Sequence, residues 1–573
     1  MTASKIYPVP EDIKASTHLT EEQYFEMYKK SVEDPEGFWG ELASTLDWYT
    51  KPTKVKNTHF GADDVSIKWF EDGEINASYN CIDRHLAENA KKTAIFWEGD
   101  SPEDSDEISF QQLHYEVCKL ANGLKKLGVK KGDRVAIYMP MVPQAAYAML
   151  ACARIGAVHS VVFGGFSPEA LKDRIQNAEC KALITADEGV RGGRKVPLKE
   201  NADKALKDCP SVDTCIVVKR TGGKVNWEEG RDVCYTEATA AASADCPAVP
   251  MDSEAPLFIL YTSGSTGKPK GVVRENGGHA VALKYSMTAV YDMQPGEVFW
   301  AASDVGWVVG HSYIVYGPLL HGCTTVVYEG KPVRTPDAGA FWRMVDEYKI
   351  KALFAAPTAF RAIRKEDPEA AQINKYDLSS LKTIFMAGER LDPPTYLWTV
   401  DKTGKPVVDH WWQTETGWAI CANLMGIEAK PAKPGSSTLP TPGFNVQVLD
   451  ARGNELPAGE QGAIAIKLPL PPSCLATIWG DFGRFKSGYL SDFPGYYCSG
   501  DGGYKDDDGY VFIMGRTDDV INVAGHRLST GEMEEILAAH DAVAECTVIG
   551  VHDALKGQEP VGLVLLKDGY DIN

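Results

Sequence analysis

From Asp133 onward, short apolar runs alternate with helix-like stretches, and this alternation limits the fold more than any other feature of the chain. The runs are RVAIYM at 134–139, SVVFG at 160–164, ALITA at 182–186, TCIVV at 214–218, PLFIL at 256–260, ALFAA at 352–356 and KTIFMA at 382–387. Apolar segments this short, separated by helical patterns, predict βαβ units and an α/β fold of largely parallel sheets. After Gly443 the texture changes. FNVQVLDARGNELPAGEQGAIAIKLP sets turn residues between short alternating runs, which predicts an antiparallel hairpin or a small β-barrel-like part. A charged turn, Asp506-Asp507-Asp508-Gly509, reads as a solvated hairpin tip.

At 573 residues the chain exceeds what one core organises, so two or more domains are expected. Its 59 basic and 79 acidic side chains give a net charge of -20, which disfavours nucleic acid or an acidic membrane surface as partner. Anionic substrates must then be met by local clusters of Lys and Arg. No apolar stretch approaches the roughly 18 residues that span a bilayer. The N-terminal MTASKIYPVPEDIK has neither a signal-peptide core nor an Arg-rich transit pattern, so a cytoplasmic address is expected, with an organelle not excluded. Thirteen cysteines without CxxC pairs read as reduced thiols rather than zinc ligands or disulfides.

The segment from Tyr261 to Gly271, YTSGSTGKPKG, carries the chemistry: three glycines, four Ser/Thr hydroxyls and two lysines follow the apolar run PLFIL. Glycines let backbone N–H groups approach an anion, hydroxyls add donors, and lysines add charge, so the loop is suited to phosphate. It departs from the common P-loop: Gly264 and Gly267 are separated by two residues where that motif has four, and Pro269 follows Lys268 where that motif has Ser or Thr. The loop leads toward a helical segment near His279.

With SDVGWVVGHSYIVYGPL (303–319), AGERLD (387–392), DHWWQTETG (409–417), SGDGGYKDDDGY (499–510) and GRTDDVINVAGHR (515–527), this loop resembles the AMP-forming adenylating superfamily, in particular its short-chain acyl-CoA synthetases of the propionyl- and acetyl-CoA type. The resemblance runs from about Phe38 to the end of the chain, with the motifs in the family's order. It implies a ligase that joins a short carboxylate to AMP using ATP and Mg²⁺, releases pyrophosphate, and passes the acyl group to CoA. It also implies a large adenylating domain over residues 1–517 and a small α+β lid over 518–573, hinged at Asp518. In the family the later part of that lid carries a lysine for adenylation and an arginine for CoA. Neither motif occurs in these 573 residues, so the small domain is expected to be incomplete here.

Joining a carboxylate to the α-phosphate of ATP brings two anions together, which requires cations and fixed donors. The resemblance assigns Thr262, Ser263, Gly264, Ser265, Thr266, Gly267 and Lys268 to the phosphates, and Glu415, beside Thr414, to Mg²⁺. Adenine is assigned to Gly388, Glu389 and Arg390, where acetyl-CoA synthetases commonly have proline at the third position, and to Asp409, His410, Trp411, Trp412, Gln413 and Thr414. Asp501 is assigned to the ribose hydroxyls, with Arg516 and Arg527 to ribose and phosphate. Thr266, Lys268, Thr414, Glu415 and Arg527 form the catalytic set. The acid pocket is assigned to Val308, Val309, Ala387 and Trp412. Ala387 stands where acetate-selective members carry valine and Val309 where they carry threonine, so propionate is the first expected acid and acetate the second. CoA is assigned to Phe163, Gly164, Gly165, Arg191, Arg194, Ala524 and Gly525, although Ala524 replaces a serine. A structural cation is assigned to His540 with the carbonyls of Ala538 and Val543. Small-molecule substrates are the only partners implied. A second reading, of a different class, is a non-catalytic adenylate-binding or regulatory homologue.

Overall fold

The computed structural model describes residues 6–16, 19–61, 64–262, 269–517, 520–523, 526–538, 540, 542–553 and 557–566. Two seven-stranded sheets dominate. The first runs in the order Asp232–Cys234, Thr214–Val218, Ala182–Ala186, Arg134–Tyr138, Val158–Val161, Pro256–Thr262, Lys270–Glu275, and is parallel except for its last pair. The second runs in the order Val407–Asp409, Thr383–Met386, Ile350–Ala355, Val298–Ala302, Thr324–Tyr328, Thr93–Glu98, Ser105–Ser109, again with one antiparallel edge pair. The expected parallel α/β architecture is therefore present, and the reason lies in burial. Strands Ala182–Ala186, Thr214–Val218 and Thr324–Tyr328 are buried at every position, as strands covered on both faces must be.

Helices supply the cover. Pro143–Ile155 starts with proline at its first turn, ends on Gly156 at φ 74°, and buries every residue but Gln144. It packs on Phe110–Lys126, whose capping box between Ser109 and Gln112 fixes its start. Each fully buried Val, Leu or Ile in these layers contributes ~1.5–3 kcal/mol.

The hairpin expected after Gly443 is the pair Asn445–Leu449 and Gly462–Lys467, extended by Tyr496–Lys505 and Val511–Arg516 into a four-stranded antiparallel sheet. A further four-stranded sheet follows in the order His526–Ser529, Val520–Val523, Gly557–Leu566, Val543–Asp553, with helix Thr530–Ala538 against it. The loop at 263–268 joins two antiparallel strands, Pro256–Thr262 and Lys270–Glu275; the helix Asn276–Ala289 begins only after the second. The Asp506–Asp508 turn is not simply solvated, because Lys433 reaches Asp506 at 2.5 Å and Asp508 at 2.6 Å. All thirteen cysteines are free. Among the described residues no helix is long and apolar enough to cross a membrane.

Candidate active site

The site forms where parallel strands of the second sheet end, the usual place for ligands in open α/β sheets. Strand Thr383–Met386 delivers Ala387 to Arg390, and its neighbour Val407–Asp409 delivers the run His410 to Glu415. Gly388 sits at φ 103°, in the left-handed region that favours glycine, and a Cβ there would meet no atom within 4 Å. The backbone thus turns beside open space, as a flat ring requires. Glu389 accepts from the Thr358 backbone at 2.7 Å and pairs with Arg361 at 2.7 Å. Burial raises the Asp409 carboxyl to about 7, against the pull of Arg390.

Within the run from His410 to Glu415 the side chains divide. His410 is turned into the core. One ring nitrogen meets the Met386 carbonyl at 2.8 Å, the other meets the Tyr291 hydroxyl at 3.1 Å, and burial lowers its pKa to about 4. Its expected contact with the nucleotide is therefore open to its backbone alone. Trp411 donates its indole N–H to Asp501 at 3.0 Å, and the Gln413 carboxamide donates to the same oxygen at 2.7 Å and to the Ser499 carbonyl at 2.7 Å. Burial pushes the Asp501 carboxyl up to about 6, while Arg516, 3.6 Å away, and these two donors oppose the rise. Arg516 also donates to the Ser499 carbonyl at 2.9 Å.

Glu415 marks the other end of the run. Its Oε1 accepts from the Tyr489 hydroxyl at 2.5 Å and lies 3.7 Å from the Lys270 ammonium, which donates to that same hydroxyl at 2.7 Å. Lys270 pairs in register with Thr262, so the strands on either side of residues 263–268 bring Lys270 to Glu415. The Thr262 hydroxyl is buried without a hydrogen-bond partner among the described residues. Beneath the run, the fully buried Arg274 donates to the carbonyls of Thr414 and, at 3.1 Å, Glu415. Burial lowers its pKa to about 10. A carboxylate held beside Lys270 by hydroxyl and ammonium donors suits a hard cation that binds through oxygen ligands.

Trp412 packs edge-on to Tyr313 at 5.5 Å, and its indole N–H has no partner among the described residues. Tyr313 belongs to the π-helix Gly310–Tyr316, preceded directly by Val308 and Val309, so these valines and Trp412 meet the core from neighbouring elements. Ala387, 4% exposed, belongs to the same core.

A separate cavity of about 350 Å³ opens between the two large sheets, lined in part by Phe163, Gly164, Gly165, Arg191, Asp304 and Trp307. Gly306 lets this wall close, since a Cβ there would lie 2.6 Å from the Phe163 Cα. The Arg191 guanidinium sits 5.6 Å over the Phe163 ring and 3.8 Å from Asp304. Arg194 faces Arg191 across a tight hairpin whose Gly192 and Gly193 N–H groups are held by the Asp100 carboxylate; it is exposed and does not line the cavity.

Ser263, Gly264, Ser265, Thr266, Gly267, Lys268, Asp518, Ala524 and Gly525 lie outside the described residues, as does the Arg527 side chain, whose backbone pairs with Asn522. His540 is exposed, and its Nδ1 accepts from the Ala542 N–H at 3.2 Å, which is the behaviour of a residue capping a turn. Among the described residues no group of three or more His, Cys, Asp or Glu side chains could hold a metal. Sequence reasoning missed Arg274, Tyr489 and Tyr497, and it quoted Ser499 within a motif without assigning it to the site. Lys270 stood within the loop motif but outside the site set.

Comparison with known proteins gives consistent matches. The AMP-binding enzyme family model matches residues 82–471, the acetyl-coenzyme A synthetase N-terminus matches 24–81, and the AMP-binding enzyme C-terminal domain matches 532–573. An acetyl-coenzyme A synthetase of Alkalilimnicola ehrlichii is 51% identical over 575 residues, covering 100% of this chain and 88% of the relative. Acetyl-coenzyme A synthetase 2 of Pseudomonas aeruginosa is 50% identical over 568 residues, covering 98% and 87%. An uncharacterised protein of the same organism is 53% identical over 551 residues, covering 96% and 87%.

Proposed function

The chain belongs to the AMP-binding enzyme family, and on that premise we propose that it is an AMP-forming ligase of short carboxylic acids and CoA. The carboxylate attacks the α-phosphate of ATP and expels pyrophosphate; the CoA thiol then attacks the acyl carbon and expels AMP. The observation that carries this reading is the run from Trp411 to Glu415. It connects two carboxylates, Asp501 through Trp411 and Gln413, and Glu415 beside the phosphate loop through Tyr489 and Lys270. One end suits ribose hydroxyls, the other a triphosphate. The relatives' printed names support this catalytic reading over a non-catalytic adenylate binder.

Mg²⁺, when bound, neutralises the triphosphate, and Glu415 is the residue we assign to hold it. Arg274 fixes the backbone on which Glu415 stands. Gly388 to Arg390 and the backbone of His410 border adenine. Asp501, with Arg516 beside it, takes the ribose. The cavity at Phe163 and Arg191 takes CoA, with Arg194 free to meet its outer phosphate. Residues 1–517 act as the adenylating domain and 518–573 as part of a lid turning at Asp518.

For the acid we propose propionate before acetate, since Ala387 leaves room that a valine would fill; one methylene buried there contributes about 0.8 kcal/mol. The test is ATP–pyrophosphate exchange dependent on added acid, with acetate, propionate and butyrate compared. Exchange that peaks with propionate supports the assignment, whereas exchange indifferent to the acid contradicts it.

A further inference from the structure

We propose that Tyr489 and Tyr497 are positioning residues: a stacked pair that holds the metal end of the nucleotide site at Glu415 in register with its ribose end at Asp501. The inference rests on the roles given above to those two carboxylates.

Tyr489 ends the helix Phe482–Tyr489, and Tyr497 lies in the strand Tyr496–Lys505. Their rings stack with centroids 5.5 Å apart and planes within 6°. Tyr497 is fully buried and Tyr489 is 5% exposed, so each hydroxyl needs a protein partner. The partners lie two residues apart on the same loop, at Glu415 and Gln413. Tyr489 donates to Glu415 at 2.5 Å, while Tyr497 donates to the Gln413 carboxamide oxygen at 2.9 Å, and the Gln413 amide nitrogen continues to Asp501 at 2.7 Å. Lys270 closes the arrangement from the phosphate loop, with its ammonium 4.7 Å over the Tyr489 ring and 2.7 Å from its hydroxyl.

Core packing alone would need the two rings but not their hydroxyls. Here both hydroxyls are spent on the loop that carries the nucleotide ligands. Tyr497 fixes which way the Gln413 amide faces, because accepting from the tyrosine with its oxygen leaves its nitrogen to donate to Asp501. Tyr489 gives Glu415 a charge-assisted bond that holds the carboxylate toward Lys270.

The test uses Tyr489→Phe and Tyr497→Phe, which keep both rings and remove one oxygen each. The Mg²⁺ concentration for half-maximal ATP–pyrophosphate exchange reports on Glu415, and adenosine binding by calorimetry without metal reports on Asp501. Tyr489→Phe is expected to raise the Mg²⁺ requirement about tenfold while adenosine affinity holds; Tyr497→Phe is expected to weaken adenosine about tenfold while the Mg²⁺ requirement holds. Glu415→Gln and Asp501→Asn serve as references. If both references shift their own readouts and neither tyrosine variant does, or if each tyrosine variant moves both readouts equally with a fall in Tm, the positioning role is overturned. If the references themselves leave the readouts unchanged, the roles of Glu415 and Asp501 fail instead, and the inference falls with them.

Discussion

Trp411 donates its indole N–H to Oδ2 of Asp501 at 3.0 Å, joining residues 90 positions apart in the chain. The contact fixes the loop that ends one parallel strand against the antiparallel sheet that follows it. On the proposed assignment a bound nucleotide would span both elements, so its affinity would report on their junction.

The Asp501 carboxyl gives that affinity a pH dependence. Burial raises its pKa to about 6, and on the proposed assignment ribose hydroxyls would bond to its ionised form. Nucleoside binding therefore favours the deprotonated enzyme. Adenosine affinity should be flat above pH 7 and weaken below about 6, approaching tenfold per unit. Calorimetry across this range checks it, and Asp501→Asn should remove the dependence. The sign for folding is opposite: a raised carboxyl pKa contributes stability that is present below its unfolded value and lost as pH rises through about 6.

Ala387→Val adds two carbons to a residue 4% exposed at the end of the strand Thr383–Met386. The kcat/KM ratio of propionate to acetate should fall by roughly tenfold or more. An unchanged ratio would remove Ala387 from the acid pocket.

Arg191→Ala and Phe163→Ala alter the cavity between the sheets without touching the run from Trp411 to Glu415. Each should raise the KM for CoA while acid-dependent ATP–pyrophosphate exchange stays near wild type. Loss of exchange in both variants would show that this cavity serves the first half-reaction.

Arg274→Ala leaves the Thr414 carbonyl without its side-chain donor, whereas the Glu415 carbonyl loses Arg274 but still accepts from the Leu475 N–H at 2.7 Å. At roughly 1–3 kcal/mol for the one orphaned group, the loss should be about 1–3 kcal/mol, seen as a lower Tm together with weaker adenylation. Arg274→Lys should recover only part, since an ammonium lacks the two-pronged fork.

The parallel strands were legible because sheets covered on both faces leave unbroken apolar runs. The segment read at 160–164 sits earlier, at Val158–Val161, because Phe163 to Gly165 leave the sheet to line a cavity. The strand Lys270–Glu275 was not legible. Its buried Arg274 breaks the apolar pattern, and that arginine is explained only by carbonyls about 140 residues further on. Tyr489 and Tyr497 read as ordinary aromatics for the same reason, since their hydroxyl partners lie 74 and 84 residues away. His410 carries the motif's signature, yet the Met386 carbonyl and Tyr291 claim its ring, a competition that appears only when the strands are paired.

The most direct test of the account is product stoichiometry with propionate, ATP, Mg²⁺ and CoA supplied together. The account predicts propionyl-CoA, AMP and pyrophosphate in equal amounts, with no product when the acid is omitted. Formation of ADP and phosphate, or of AMP without a matching thioester, would contradict it.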